Sequence, residues 1–336
     1  MGEEHGGRLI IGFGSALEFW RRARAAAPSA PDLEPAGHVF GAQRLSVPDR
    51  AARVCEGYGL EAPLTLVAAG RERRYACRGV SYLTWSGPLP DALLFGLGDD
   101  VYVCRMPLAL SQLSRSYDVV GLAEVGYEMT GTYGLAPWAY DDLVKDVQPL
   151  VDVSELVSYA QTARALGVYG AGKALASLAL VVSRSNSPRE TGLGIYMMQS
   201  RVRGGVQLGG FRMNESLELP PRLQELLGQR VVKPDFLWPN GTVMEYDSDE
   251  WHLSPRKKAA DERKRRAYRA EGLDYLTMTS DIPRSQKKLD AFMADLEKSL
   301  GLRRRPASAA MELRRRELRE RLFGPESDDA ALARLR

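Results

Sequence analysis

The sequence predicts an α/β protein in two parts, a mixed α/β segment followed by a second segment whose elements run helix, strand, strand, strand, helix, strand (αβββαβ). Three observations lead there. The chain has 336 residues, which suggests about two domains. Short apolar runs bounded by Gly, Pro and Asp are interspersed with stretches of helical spacing. Finally, Asn240-Gly241 separates two apolar runs, 235–238 and 242–246, as a two-residue turn of the kind that joins antiparallel strands.

Taken in order, residues 8–13 read as a short strand, and Ser15 as the cap of a helix reaching about Ala26, with Leu17, Phe19, Trp20 and Ala23 as its apolar positions. The GFGS turn between them lacks a full GxGxxG or a following Lys-Ser/Thr pair and reads as an ordinary strand-helix turn. Residues 28–35 are a loop by composition. Apolar runs at 38–40, 64–68, 75–77, 80–85 and 101–104 alternate with helical spacing at 50–58 and 108–116. No catalytic constellation is concentrated there, and His38 stands apart from any acid or Cys.

Two helices follow at 153–166 and 170–183, the second apolar on most sides and expected to be buried. Ser187-Pro188 then opens a helix through Met198, and Glu190 lies in its first turn, where the helix dipole favours an acid. A strand is expected around 206–213, then the hairpin. A charged helix at 256–270, closed by Gly272, leads to a strand at 275–279 and an amphipathic helix at 283–300. The Arg-rich tail is helix-prone between 309 and 322. Domains are therefore expected at 1–150 and 151–300, with a helical or disordered tail over 301–336.

Composition narrows the function classes. The chain is 44% hydrophobic and 26% charged, ordinary for a soluble globular protein. It has no uninterrupted apolar run of about 18 residues, and its start, MGEEHGGRLIIGFG, does not follow the signal-peptide pattern. A cytoplasmic location and no membrane partner are expected. Cys55, Cys77 and Cys104 are widely spaced and read as small core residues in a reducing compartment. The net charge is only +3, yet from residue 221 onward there are 25 Lys+Arg against 20 Asp+Glu. A weakly basic module holding an acidic pocket suits a polyanionic substrate brought to a metal.

The chemistry converges on residues 233–252, KPDFLWPNGTVMEYDSDEWH. With Asp235 on one strand and Glu245 on its partner, register across the turn can bring both to one site. Two-residue periodicity puts Glu245 and Asp247 on one face. Crowded carboxylates repel unless a cation neutralises them, and hard oxygen ligands suit Mg²⁺ or Mn²⁺. The plainer reading is of solvated acids at strand ends. Against it stand Phe236, Leu237, Trp238, Val243 and Met244, which mark buried strands where unpaired charge is costly.

This order of elements, with Pro234-Asp235 ahead of Glu245-Tyr246-Asp247, resembles the core of PD-(D/E)XK restriction-endonuclease-like nucleases. Over about 185–300 it resembles most closely the very-short-patch-repair-like (Vsr-like) branch, in which a Glu-x-Asp strand end is followed by a His and then by Asp-x-x-Arg-x-x-x-Leu-x-x-x-Gly. Those positions here are Glu245, Asp247, His252, Asp261, Lys264, Tyr268 and Gly272. Lys264 and Tyr268 replace the Arg and Leu, and Asp247 stands where the family signature has Lys. The Cys/His zinc cluster of the mismatch-nicking enzymes is missing, so mismatch specificity is not carried over. Separately, GDDVYVCRMPLALSQLS and LAEVGYEMTGTYGL resemble the middle region of AbiEi-type antitoxins and regulators, over roughly 74–135.

The nuclease resemblance implies an endonuclease acting on DNA, a hydrolase of phosphodiester bonds. Asp235 and Glu245 would bind Mg²⁺ (or Mn²⁺), Asp247 would complete the shell or hold its water, and Glu190 would reach in from its helix or remain a cap. His252 would protonate the leaving oxygen or be a structural histidine beside Trp251. Lys257, Lys258, Lys264 and Arg265 would hold the nucleic-acid backbone or form a solvated helix face, with Asp261 orienting the basic residues. The amino-terminal AbiEi-like module would recognise a protein partner or the substrate. The alternative is a catalytically inactive antitoxin-like or regulatory DNA-binding protein.

Overall fold

The structure is a computed structural model that describes residues 8–27, 46–68, 78–98, 100–136, 138, 143–247, 262–263, 265–269, 272–303 and 306–324. The chain is mixed α/β and divides into two compact units that meet between Val181 and Val182.

The first unit carries a five-stranded mixed sheet of order β3-β2-β1-β5-β4, made of β1 (Leu9–Ile11), β2 (Leu64–Ala68), β3 (Val80–Thr84), β4 (Leu94–Gly98) and β5 (Val101–Cys104). β1 runs parallel to β5 and antiparallel to β2. Its helices are α1 (Phe13–Ala26), α2 (Val47–Tyr58), α3 (Met106–Leu113), α4 (Val119–Thr130), α5 (Val153–Ala165) and α6 (Ala171–Leu178), with a small hairpin of β6 (Tyr133–Leu135) and β7 (Leu143–Lys145).

Ser15 is not the cap of α1. Gly12 holds that position, the Phe13 N–H donates to Gln112 Oε1 at 2.9 Å, and Ser15 Oγ instead accepts the Thr65 N–H of β2 at 2.9 Å. α3 is buried along its whole length. Between α1 and α4 lies a buried ion pair, Arg21 Nη2 to Glu128 Oε2 at 2.6 Å, with Arg24 donating to the Glu128 and Gly131 carbonyls.

The sequence placed the boundary at 150, whereas α5 and α6 belong to the first unit. They pack on α3 and α4, Tyr159 Oη donates to the Pro88 carbonyl at 2.8 Å, and Lys173 Nζ to the Tyr117 carbonyl at 2.9 Å.

The second unit comprises α7 (Pro188–Met198), β8 (Arg212–Met213), β9 (Leu217–Glu218), α8 (Pro221–Leu227), β10 (Val231–Val232), β11 (Phe236–Leu237), β12 (Val243–Asp247), α9 (helical at 262–263 and 265–269), β13 (Tyr275–Thr279), α10 (Asp281–Arg284), α11 (Gln286–Ser299) and α12 (Ala309–Phe323). Its main sheet has the order β13-β12-β11-β8. β8, β11 and β12 are antiparallel neighbours, and β13 returns parallel to β12.

The strand expected over 206–213 shrinks to Arg212–Met213. Its earlier residues run back along the end of α7, where the N–H groups of Val206, Gln207 and Leu208 donate to the carbonyls of Tyr196, Gln199 and Met197. A helix leaves its last carbonyls unsatisfied, and this segment fills them.

Both faces of the sheet are covered. Phe236, Met244 and Met278 are fully buried on one side. On the other, Leu237 and Val243 pack with Leu219 and Leu223 near or in α8 and with Ala267 and Tyr268 of α9. α12 is part of the unit: Phe323 sits edge-on to Tyr196 of α7 with ring centroids 6.1 Å apart, and Arg314 donates to the Val202 carbonyl at 2.8 Å.

Candidate metal and nucleic-acid site

The site depends on the length of one turn. The Gly241 N–H closes back on the Trp238 carbonyl at 3.0 Å, the Trp238 N–H bonds the Thr242 carbonyl at 2.9 Å, and Gly241 has φ 87°. The loop is therefore Pro239-Asn240-Gly241, three residues, instead of the expected two. Pro239 explains the difference: as the residue ahead of a two-residue Asn-Gly loop it would have to donate an N–H to the Thr242 carbonyl, which proline lacks, whereas its fixed φ near −65° suits the second position of an ordinary turn.

One residue decides which face the acids share. The observed pairs, Leu237 with Val243 and Phe236 with Met244, set Asp235 opposite Glu245. A two-residue Asn-Gly loop would set Asp235 opposite Tyr246, and the two carboxylates would point to opposite sides of the sheet. Register on the flanking strands extends the row. Met213 pairs with Phe236, and Glu245 with Thr277, so the register continued one residue past β8 and β11 puts Asn214 and Asp235 in line with Glu245 of β12 and Thr277 of β13. Asp247, two residues along β12, shares the face of Glu245 and pairs with Thr279.

Asp235 and Glu245 each accept a hydrogen bond. Asp235 Oδ2 accepts the Tyr246 N–H at 2.7 Å, and Glu245 Oε2 accepts the Tyr275 hydroxyl at 2.9 Å. Tyr275 stacks on Tyr268 of α9, ring centroids 5.1 Å and planes 12° apart. Burial, and then the neighbouring Glu245 carboxylate, raise the pKa of both phenols, so both keep their protons at neutral pH. Arg265 of α9 reaches toward the row, with Nη2 3.4 Å from Thr277 Oγ1 and Nη1 3.8 Å from Glu262.

Glu190 sits apart as a buried cap of α7. Ser187 Oγ donates to its Oε1 at 2.9 Å and accepts its N–H at 3.2 Å, while the Asn186 N–H and Asn214 Nδ2 donate to Oε2 at 3.0 and 2.6 Å. Burial raises its pKa although these donors oppose the shift. The link to the acidic row is Asn214, whose side chain holds Glu190 and whose N–H donates to the Pro234 carbonyl at 3.0 Å, next to Asp235.

His252, Lys257, Lys258, Asp261 and Lys264 lie outside the described residues. Among the described residues no three His, Cys, Asp or Glu side chains gather at metal-holding distance, and no helix is long and apolar enough to cross a membrane.

Asn214, Tyr275 and Thr277 were not singled out in the sequence. Asn214 had a usable signal, because Asn after a strand tolerates the left-handed φ of 47° seen here. Tyr275 and Thr277 had none, since their place beside the acids depends on which strand β13 joins. Comparison with protein-family models, curated proteins and solved structures found no match.

Proposed function

We propose that the second unit is a metal-dependent endonuclease of the PD-(D/E)XK kind, in its Vsr-like branch, hydrolysing phosphodiester bonds of DNA in the cytoplasm. The observation that carries this reading is the register that sets Asp235, the residue ahead of β11, opposite Glu245, with Asp247 on the same face of β12 as Glu245, in a unit that runs α7, β8, β11, β12, α9, β13 with β9, α8 and β10 inserted between β8 and β11.

Asp235 and Glu245 would hold Mg²⁺ (or Mn²⁺), and Asp247 would complete the shell or hold its water. Two carboxylates fit this ion, which is commonly held by one or two carboxylates together with waters and substrate phosphates. When bound it withdraws charge from the phosphate and makes bound water a better nucleophile. Arg265, on the side of the row nearest α9, would contact the scissile phosphate, with Lys257, Lys258 and Lys264 along the flanking backbone. His252 would protonate the leaving oxygen, Asp261 would orient the basic residues, and Glu190 would act through Asn214 on the Asp235 strand. The first unit would serve as an AbiEi-like partner- or substrate-recognition module.

Two observations favour a second reading, a DNA-binding regulator of antitoxin type without turnover: Glu245 is engaged by a phenol, and no three-ligand group gathers among the described residues. Cleavage of supercoiled plasmid and of single-stranded DNA with Mg²⁺, Mn²⁺ or EDTA separates the two. Cutting that needs metal and is lost in Asp235→Ala and Glu245→Ala is the outcome expected of the enzyme. DNA binding that survives both substitutions, with no cutting by the native chain, points to the regulator.

A further inference from the structure

We propose that Lys233 is a phosphate anchor for the nucleic acid, holding its backbone at the β11 end of the acidic row while Arg265 holds it at the β13 end. The inference rests on the nuclease reading above and assigns the direction in which a strand crosses the sheet.

Lys233 is placed by the backbone on both sides of it. Val232 closes β10 against Leu217 of β9, and the Pro234 carbonyl accepts the Asn214 N–H at 3.0 Å. Val232, Pro234 and Phe236 are buried, whereas Lys233 is exposed and Asp235 half-buried, so these two alternate residues face outward. Their Cα atoms are about 7 Å apart in extended chain, and the four-carbon lysine stem can carry its charge to the neighbourhood of the Asp235 carboxylate. Among the described residues the Lys233 ammonium has no ion pair or hydrogen bond. Nearby exposed cations are engaged, Arg230 with Glu218 at 2.8 Å and Arg212 with Glu215 at 3.0 Å. Lys233 can therefore meet an anion that arrives from outside without giving up a carboxylate.

The insert that leads into Lys233 lies on the acid-bearing side of the sheet. Leu219, Leu223 and Val232 pack with Leu237, Val243 and Tyr268, so α8 and β10 share that side with α9. On α9, Arg265 Nη2 lies 3.4 Å from Thr277 Oγ1. From β11 to β13 is two strand spacings, roughly 10 Å. A backbone laid along the row meets a cation at each end and passes over Asp235 and Glu245 between them. Those carboxylates repel phosphate, and the two basic side chains offset the repulsion.

Fluorescence anisotropy of labelled duplex DNA, titrated with the full chain in EDTA from about 50 to 200 mM salt, tests this on the native protein, Lys233→Ala, Lys233→Arg and Arg230→Ala. One phosphate contact contributes about 0.9 to the slope of log affinity against log salt. In Lys233→Ala the slope should fall by about that amount and the affinity about five- to tenfold near 0.1 M salt, a change that loss of a merely structural side chain would not produce. Lys233→Arg should keep both near native, and Arg230→Ala, on the same insert, should change neither. Lys233→Gln repeats the measurement should Lys233→Ala not fold. An unchanged slope in the folded variant overturns the anchor and leaves the nuclease reading standing, since the native chain still binds. An equal fall in Arg230→Ala also overturns it, because the attraction is then spread over the surface. No DNA binding by the native chain overturns the anchor together with the nuclease reading.

Discussion

Glu190 carries two demands on one carboxylate, capping α7 and holding Asn214, and it meets both from a buried position. Its raised pKa means that the folded chain keeps this proton at pH values where the unfolded chain has lost it. The associated stability is present below the unfolded value of about 4.5 and is lost as pH rises through the folded value. Glu190→Gln removes that loss, so melting temperature measured from pH 4.5 to 7 should fall less in the variant than in the native chain. Asn214→Leu should instead cost about 1–3 kcal/mol in denaturant unfolding, because Glu190 Oε2 loses its shortest donor. In the first unit, burial opposes the Arg21 charge, yet Glu128 overrides it and raises the Arg21 pKa. Glu128→Ala strands that guanidinium and should cost about 3–5 kcal/mol. The residues most visible in the sequence were acids at suggestive spacing. Arg21 and Glu128, 107 positions apart, were invisible because nothing local marks a partner at that distance.

Among the elements, the hairpin shows how much a turn controls. Asp235 and Glu245 were legible as candidates, but their meeting was settled by Pro239, a residue passed over beside the stronger Asn-Gly signal. Deleting Pro239 leaves a two-residue loop and should shift the pairing by one. The cleavage proposed for the second unit should then fall as far as in Asp235→Ala, with a lowered melting temperature. Gly241→Ala tests the loop more gently. Its φ of 87° is strained for any residue with a Cβ, and the added carbon would lie 2.7 Å from Leu273 Cδ2. A loss of about 1–2 kcal/mol in urea unfolding is expected. The strand at 275–279, the helix from Ser187-Pro188 and the helical tail were readable because capping residues or apolar periodicity marked them. β9 and β10, two residues each, are too short to leave a periodic signature.

At the scale of the molecule, the two α/β parts were legible from length and element order, and their boundary was not. An amphipathic helix such as α5 shows that it buries a face, without showing against what, so the line fell at 150 rather than at 181. α12 presents the converse. Its charged sequence suggested an appendage, yet Leu318, Leu322 and Phe323 are buried, and Phe323 packs against α7. Ending the chain before Ala309 should lower the stability of the second unit by several kcal/mol, at about 1.5–3 kcal/mol for each buried apolar side chain removed. An unchanged unfolding curve would mean that α12 contributes nothing there.

The bond from the Tyr246 N–H to Asp235 Oδ2 makes one backbone amide a spectator of that carboxylate. An amide whose nitrogen lies 2.7 Å from a carboxylate oxygen resonates according to the charge it faces, so anything that draws electron density from Asp235 must move the signal of Tyr246. Nuclear magnetic resonance could thus follow cation arrival, or protonation, through an atom that neither event touches.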